Sequence, residues 1–177
     1  NALHITHLNQ TNVFVEHTRL LSEYIDDLIH GYCENEGVIK NRSVALNHCI
    51  AHTQTVIVVD IFEFNQLTDG VDESHVQNLK QNFSEHMDNL LRSLTPLSIG
   101  CSISDKFVIL FTENLPQAKI RQRLAYVSSA IQGSVTETLQ LDVSVGIGSL
   151  CVSFSEIKSS YQSALSAIYI SNHLYHA

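Results

Sequence analysis

Residues 55–62 read Thr-Val-Ile-Val-Val-Asp-Ile-Phe, almost wholly apolar and dense in β-branched side chains. A strand with no polar alternation has no face to offer water, so it lies in the middle of a sheet that is covered on both sides. The rest of the chain must supply those two covers. Apolar residues recur at three- and four-residue steps over 13–32, at Val13, Val15, Leu20, Leu21, Tyr24, Ile25, Leu28 and Ile29, and predict an amphipathic helix punctuated by Gly31 and Gly37. A weaker stripe at Val44, Ala45, Cys49 and Ile50 predicts a helix over 39–51. The polar run 65–72 reads as a loop. Residues 74–94 carry Val76, Leu79, Phe83, Met87, Leu90 and Leu91 on one side of a long helix that Pro96 stops.

Two short strands follow, 98–101 and 107–112, joined through the turn 102–106 as a hairpin. Residues 115–132 are predicted helical, with Pro116 in the first turn, where a missing N–H costs nothing. A strand over 141–147 ends at Gly146 and Gly148, and a last helix spans 154–172, capped by Ser153 or Ser155 with Glu156 nearby. A hairpin between helices around an internal strand gives an α+β fold, a mixed sheet with helices on both faces.

The 177 residues suit one domain, and 44% hydrophobic against 16% charged side chains is enough apolar material for its core. The net charge of -8 is opposite to the footprint that nucleic-acid binding needs, so direct contact with DNA or RNA is not expected. The longest uncharged apolar stretch, 53–59, is far short of the roughly 20 residues that cross a bilayer, so no membrane contact is expected. No secretory leader is recognisable at the N-terminus, where Asn1 and Ala2 have the look of a cloning remnant on a piece of a longer protein. Cys33, Cys49, Cys101 and Cys151 form no CxxC pair and read as reduced thiols of a cytoplasmic protein.

Among ten histidines the best metal candidate is His48, Cys49 and His52, whose two histidines a continuous helix would place one turn apart on the same face. No third ligand accompanies them, and His4 with His7 and His173 with His176 read as solvated ends. No metal or cofactor is therefore expected. No G-x-S-x-G or other nucleophile context is present. The acids Glu23, Asp26, Asp27, Glu34 and Glu36 read as the solvated side of the first helix, whose apolar side either pairs with a second copy or packs on its own domain.

The strand Val56-Ile57-Val58-Val59-Asp60-Ile61, the hairpin ending Ser104-Asp105-Lys106-Phe107-Val108, and Asp142-Val143-Ser144-Val145-Gly146-Ile147-Gly148 before a final helix resemble a GGDEF domain. Gly146-Ile147-Gly148 followed by Ser160-Tyr161 and Ala164 and Ala167 is similar, more narrowly, to the GGDEF-like middle domain of bacterial transcription regulators of the CdaR and PucR groups and of some AraC-type regulators. The resemblance implies 1–11 as remnant and flexible start, 12–36 as a signalling helix and 37–177 as the GGDEF-like regulatory domain. It also implies a homodimer through the N-terminal helix, with a sensor region and a helix-turn-helix domain as neighbours and a small metabolite, such as a sugar diacid, as effector.

The same resemblance places the signature hairpin at Ile103, Ser104, Asp105, Lys106 and Phe107, where both glycines are gone. Asp60 matches the first metal-ligand aspartate of the active family, but Lys106 stands where an acid is expected. Asp69 is kept in the loop after Phe64 without its glycine and histidine context, and Leu94 and Leu97 replace the RxxD inhibitory site. A vestigial nucleotide site would then comprise Asp60, Asp69, Ser104, Asp105, Lys106 and Phe107. The expectation is a non-catalytic regulatory domain. The alternatives are a nucleotide sensor that performs no chemistry and a weakly active, metal-dependent diguanylate cyclase acting through Asp60 and Asp105.

Overall fold

The computed structural model describes residues 2–175, with side chains from 15 to 174. Helices α1 (Ala2–His30) and α2 (Glu36–Ala45) and a single 3-10 turn (Ile50–His52) lead into β1 (Thr53–Ile61). Then come α3 (Phe64–Thr68), α4 (Glu73–Leu94), β2 (Ile99–Ile103), β3 (Lys106–Thr112), α5 (Gln117–Leu139), β4 (Val143–Ile147), a 3-10 turn (Phe154–Glu156) and α6 (Ile157–Tyr175). The four strands lie in the order β2-β3-β1-β4, antiparallel at each pairing. From β1 to β4 this is the split βαβ arrangement, with β3 inserted between β1 and β2.

Successive residues of β1 enter different cores. Val56 and Val58 join Val108 and Leu110 beneath Tyr24, Ile25, Leu28 and Ile29 of α1 and Ile157, Ala164 and Ile168 of α6. Ile57 and Val59 join Phe107, Ile109 and Phe111 against Phe83, Met87 and Leu91 of α4 and Ile120, Leu124, Val127 and Ile131 of α5. The expected layering, helices on both faces of a sheet whose central strand is buried twice, is the one observed.

Several boundaries differ from the sequence expectation for local reasons. The first helix starts before residue 13, at Ala2, and ends where Gly31 takes φ +70°. The second stops at Ala45 because Asn47 adopts φ +53°. The run 65–72, expected to be loop, contains α3, and the hairpin turn shrinks to Ser104-Asp105. Helix α5 continues to Leu139 because Ile131 and Val135 prolong its buried stripe past the polar residues that mask it. At the last helix the side chain of Ser153 makes no cap bond; instead the Glu156 carboxylate accepts from the Val152 N–H at 2.6 Å.

The histidine cluster of the sequence is not a metal site. His48 follows α2 in a turn and is buried, while Cys49 and His52 are exposed, so the three do not share a helix face. The His48 ring lies 3.5 Å from the Tyr24 hydroxyl through Nδ1, and 3.2 and 3.3 Å from the Thr112 and Thr53 hydroxyls through Nε2. Nδ1 of His173 lies 2.8 Å from its own helix, at the Tyr169 carbonyl; the side chains of His4, His7, Val13 and His176 lie outside the described residues. Among the described residues no group of three His, Cys, Asp or Glu side chains is placed to hold a metal.

Helix α6 approaches the sheet more closely than ordinary side chains permit. A Cβ on Gly146 would sit 2.1 Å from the Ala164 carbonyl oxygen, and one on Gly148 2.2 Å from that of Ser160. Glycine at both positions and small residues facing them follow from this contact. The close approach brings the Ser160 hydroxyl, fully buried, to β1, where it accepts from the Val56 N–H at 2.9 Å and donates to the Ser149 carbonyl at 2.7 Å. A helix side chain thus completes the hydrogen bonding of a central strand.

Removing that hydroxyl orphans a buried N–H. Ser160→Ala is expected to cost about 1–3 kcal/mol of unfolding free energy in a urea titration, whereas Ser159→Ala on the exposed side of α6 should change it by no more than about 0.5 kcal/mol. Burial pushes the His48 imidazole down from 6.5 to about 4. The unfolded chain therefore takes up this proton first, and the stability present above pH 6.5 is lost as pH falls toward 4, by about 3 kcal/mol for a shift of this size. His48→Gln is expected to flatten the stability profile across that window, and an unchanged slope would contradict the assignment.

Candidate functional site

Asp60 lies one residue from the end of β1 and Lys106 opens β3, and the antiparallel register makes them direct cross-strand partners. Pleat alternation sets both on the face shared with Val58 and Val108. The side chains are 17% and 25% exposed, so the pair is largely withdrawn from water. The Lys106 ammonium stands 2.9 Å from Asp105 Oδ1 and 3.5 Å from Asp60 Oδ1. It bridges two carboxylates from different elements, the strand end and the hairpin turn.

The electrostatics follow from this arrangement. Burial raises the Asp60 carboxyl above its ordinary range, with Lys106 opposing the rise and Asp105 adding to it. At Asp105 burial works in the same upward direction, but the hydrogen bond and charge of Lys106 outweigh it and the carboxyl falls below its usual range. Burial disfavours the Lys106 charge, yet the hydrogen bond it donates to Asp105 and both carboxylate charges raise its pKa. One ammonium thus supplies the positive charge between the two carboxylates. The donor set does not fit a metal, because both carboxylates already face a fixed cation and a dication placed between them would meet it at close range.

In the two-residue connection between Ile103 and Lys106, Ser104 takes φ +59°, a conformation glycine adopts freely and other residues rarely adopt. Its backbone keeps the tight turn while its side chain stands in the space that glycine leaves open. Phe107, one of the residues expected at the site, is instead fully buried in the core with its ring edge-on to Phe83 at 6.4 Å. Asp69 is exposed at the C-terminal cap of α3 and is not gathered with the others. Of the six residues expected, the fold brings together Asp60, Ser104, Asp105 and Lys106.

A groove of about 690 Å³ lies beside the hairpin, between it and α4, with Phe64, Lys80, Ser84 and Arg92 among its lining. Lys80 Nζ sits 5.3 Å from the centre of the Phe64 ring. A smaller hollow of about 270 Å³ is lined by Asp60, Glu63, Asn65 and Asp105. Phe64, Lys80 and Glu63 escape sequence reasoning. Lys80 looks like any solvated helix lysine, and Glu63 is marked only by its φ of +52° in the folded chain.

With the geometry in hand, comparison with known proteins is direct. The model of the GGDEF-like domain family matches residues 30–170. The fold is similar to the X-ray structure of an EAL/GGDEF domain protein from M. capsulatus, with a TM-score of 0.50 and 20% identity, over 80% of this chain and 93% of that one. At that identity the likeness concerns the fold. No curated protein matches. With the family match extending from the end of α1 nearly to the end of α6, this chain belongs to the GGDEF-like domain family.

Proposed function

We propose that this chain is a catalytically silent regulatory domain that relays a signal and supports dimerisation within a bacterial transcription regulator. The observation that carries the reading is the Lys106 ammonium bridging Asp60 and Asp105, because it supplies internally the charge that catalysis would take from a metal. The lost hairpin glycines favour the same reading, since Ser104 narrows the approach to a nucleotide. The serine-alanine pattern of α6 against Gly146 and Gly148 supports a parent of the CdaR and PucR groups or of the AraC type, with a small metabolite such as a carbohydrate diacid as effector.

Helix α1 is the element suited to relay. Tyr24, Ile25, Leu28 and Ile29 anchor its C-terminal half in the core, while Val15 and Leu20 remain exposed and available to a second copy. Movement of α1 is transmitted to the sheet through this anchored half. A nucleotide sensor is the second reading, favoured by the groove beside Lys80 and Lys106.

Calorimetric titration of the protein with GTP and Mg²⁺, followed by analysis of the mixture for cyclic di-GMP, separates these readings. No saturable heat and no product are expected. Saturable binding without product would make it a nucleotide sensor, and product would overturn the proposal. Lys106→Glu, which removes the internal cation and adds a carboxylate, is expected to raise Mn²⁺ affinity by roughly tenfold or more. Equal Mn²⁺ binding by both forms would contradict the assigned role of Lys106.

A further inference from the structure

Ile157, Ser160, Ala164 and Ile168 form the buried side of α6. One flank of the helix faces α1, where the Tyr161 ring stands 6.0 Å from that of His30. The other flank faces the loop after β4, where the Ser163 hydroxyl accepts from the Ser149 N–H at 2.8 Å. On that second flank Ser163, Ala167, Ile170 and Leu174 follow one another at steps of four, three and four residues, which keeps them in one row along the helix. Ile170 and Leu174 are 54% and 72% exposed, and Leu150 of the adjoining loop is exposed as well.

The row is graded in size. Its first half carries the small side chains of Ser163 and Ala167, and its second half the large apolar ones of Ile170 and Leu174. Such a row is complementary to its own reverse. In an antiparallel pair related by a two-fold axis, Leu174 lies over Ser163 of the other copy and Ile170 over Ala167, so that large meets small at every level. A parallel pair would set small against small at one end and large against large at the other.

Charge points to the same occupant. With a net charge of -8, two copies of this chain repel each other wherever their acidic surfaces meet. Residues 143–177 hold one acid, Glu156, and one base, Lys158, and no Asp, Glu, Lys or Arg follows Lys158. Two copies that meet along this row bring no like charges together and withdraw its exposed apolar side chains from water.

We propose that α6 pairs antiparallel with α6 of a second copy of this chain through Ser163, Ala167, Ile170 and Leu174, giving a two-fold dimer. The interface is separate from pairing through α1 and does not rest on it, because α1 lies along β2 whereas α6 lies over β1 and β4.

Sedimentation equilibrium is carried out on the whole chain with Leu20→Asp, which puts a charge on the exposed face of α1 to prevent pairing there. The mass of two chains is expected. Ile170→Glu and Ala167→Lys, each added to that chain, are expected to raise the dimer dissociation constant at least roughly tenfold. Mixing the two variants should restore the dimer, since one level of the seam then pairs Glu with Lys and the other keeps Ile over Ala. Gln162→Glu, at an exposed residue outside the row, should leave the mass unchanged. A single-chain mass up to millimolar concentration, a dimer indifferent to Ile170→Glu, or no recovery in the mixture would each overturn the proposal. Pairing through α1 is read separately, from the change in mass that Leu20→Asp alone produces.

Discussion

The closeness of α6 to the central strand governs the rest of the molecule. β1 is buried on both faces, so every backbone group along it needs a partner inside the protein. β3 and β4 supply most of them, but β4 pairs only from Ile57 onward, and the Val56 N–H is met by Ser160 instead. That contact requires the helix to lie almost on the backbone of β4, which fixes Gly146, Gly148 and Ala164. Once α6 is seated, α1 has a place to anchor beside it, and the first core closes.

The same strand carries Asp60 out to the sheet end, where packing gives way to charge. Three ionisable groups meet there, and their sum leaves a single negative charge without any ion from solution. At this corner Lys106 ties the hairpin turn to the central strand through Asp105 and Asp60. Exposed ion pairs contribute little to stability, but this one is only about one-fifth exposed and spans two strands and a turn. Its consequence is specificity of arrangement, in which the hairpin is held by its own lysine and the turn carries Ser104 in a left-handed conformation.

Legibility in the sequence followed periodicity. The doubly buried strand, the hairpin and the long amphipathic helices announce themselves through alternation or its absence, and the family resemblance locates Asp60, Asp105 and Lys106 before any coordinates. What escaped was decided by contacts distant in the chain. α3 has almost no apolar period, and the end of α5 hides its buried residues among polar ones. His48 looks like a ligand among polar neighbours until Tyr24 and Thr112, from other elements, are found around it. Phe107 reads as a site residue by its place in the signature, yet pleat alternation turns it into the core. Asp69 is separated from the site because α3 carries it away.

The proposal that the Lys106 ammonium stands in for a metal ion is tested most directly by anomalous diffraction from crystals soaked in Mn²⁺ with GTP. The account predicts no manganese peak within coordinating distance of Asp60 or Asp105, with the Lys106 ammonium still between them. A manganese peak bridging those carboxylates, with Lys106 swung aside, would contradict it.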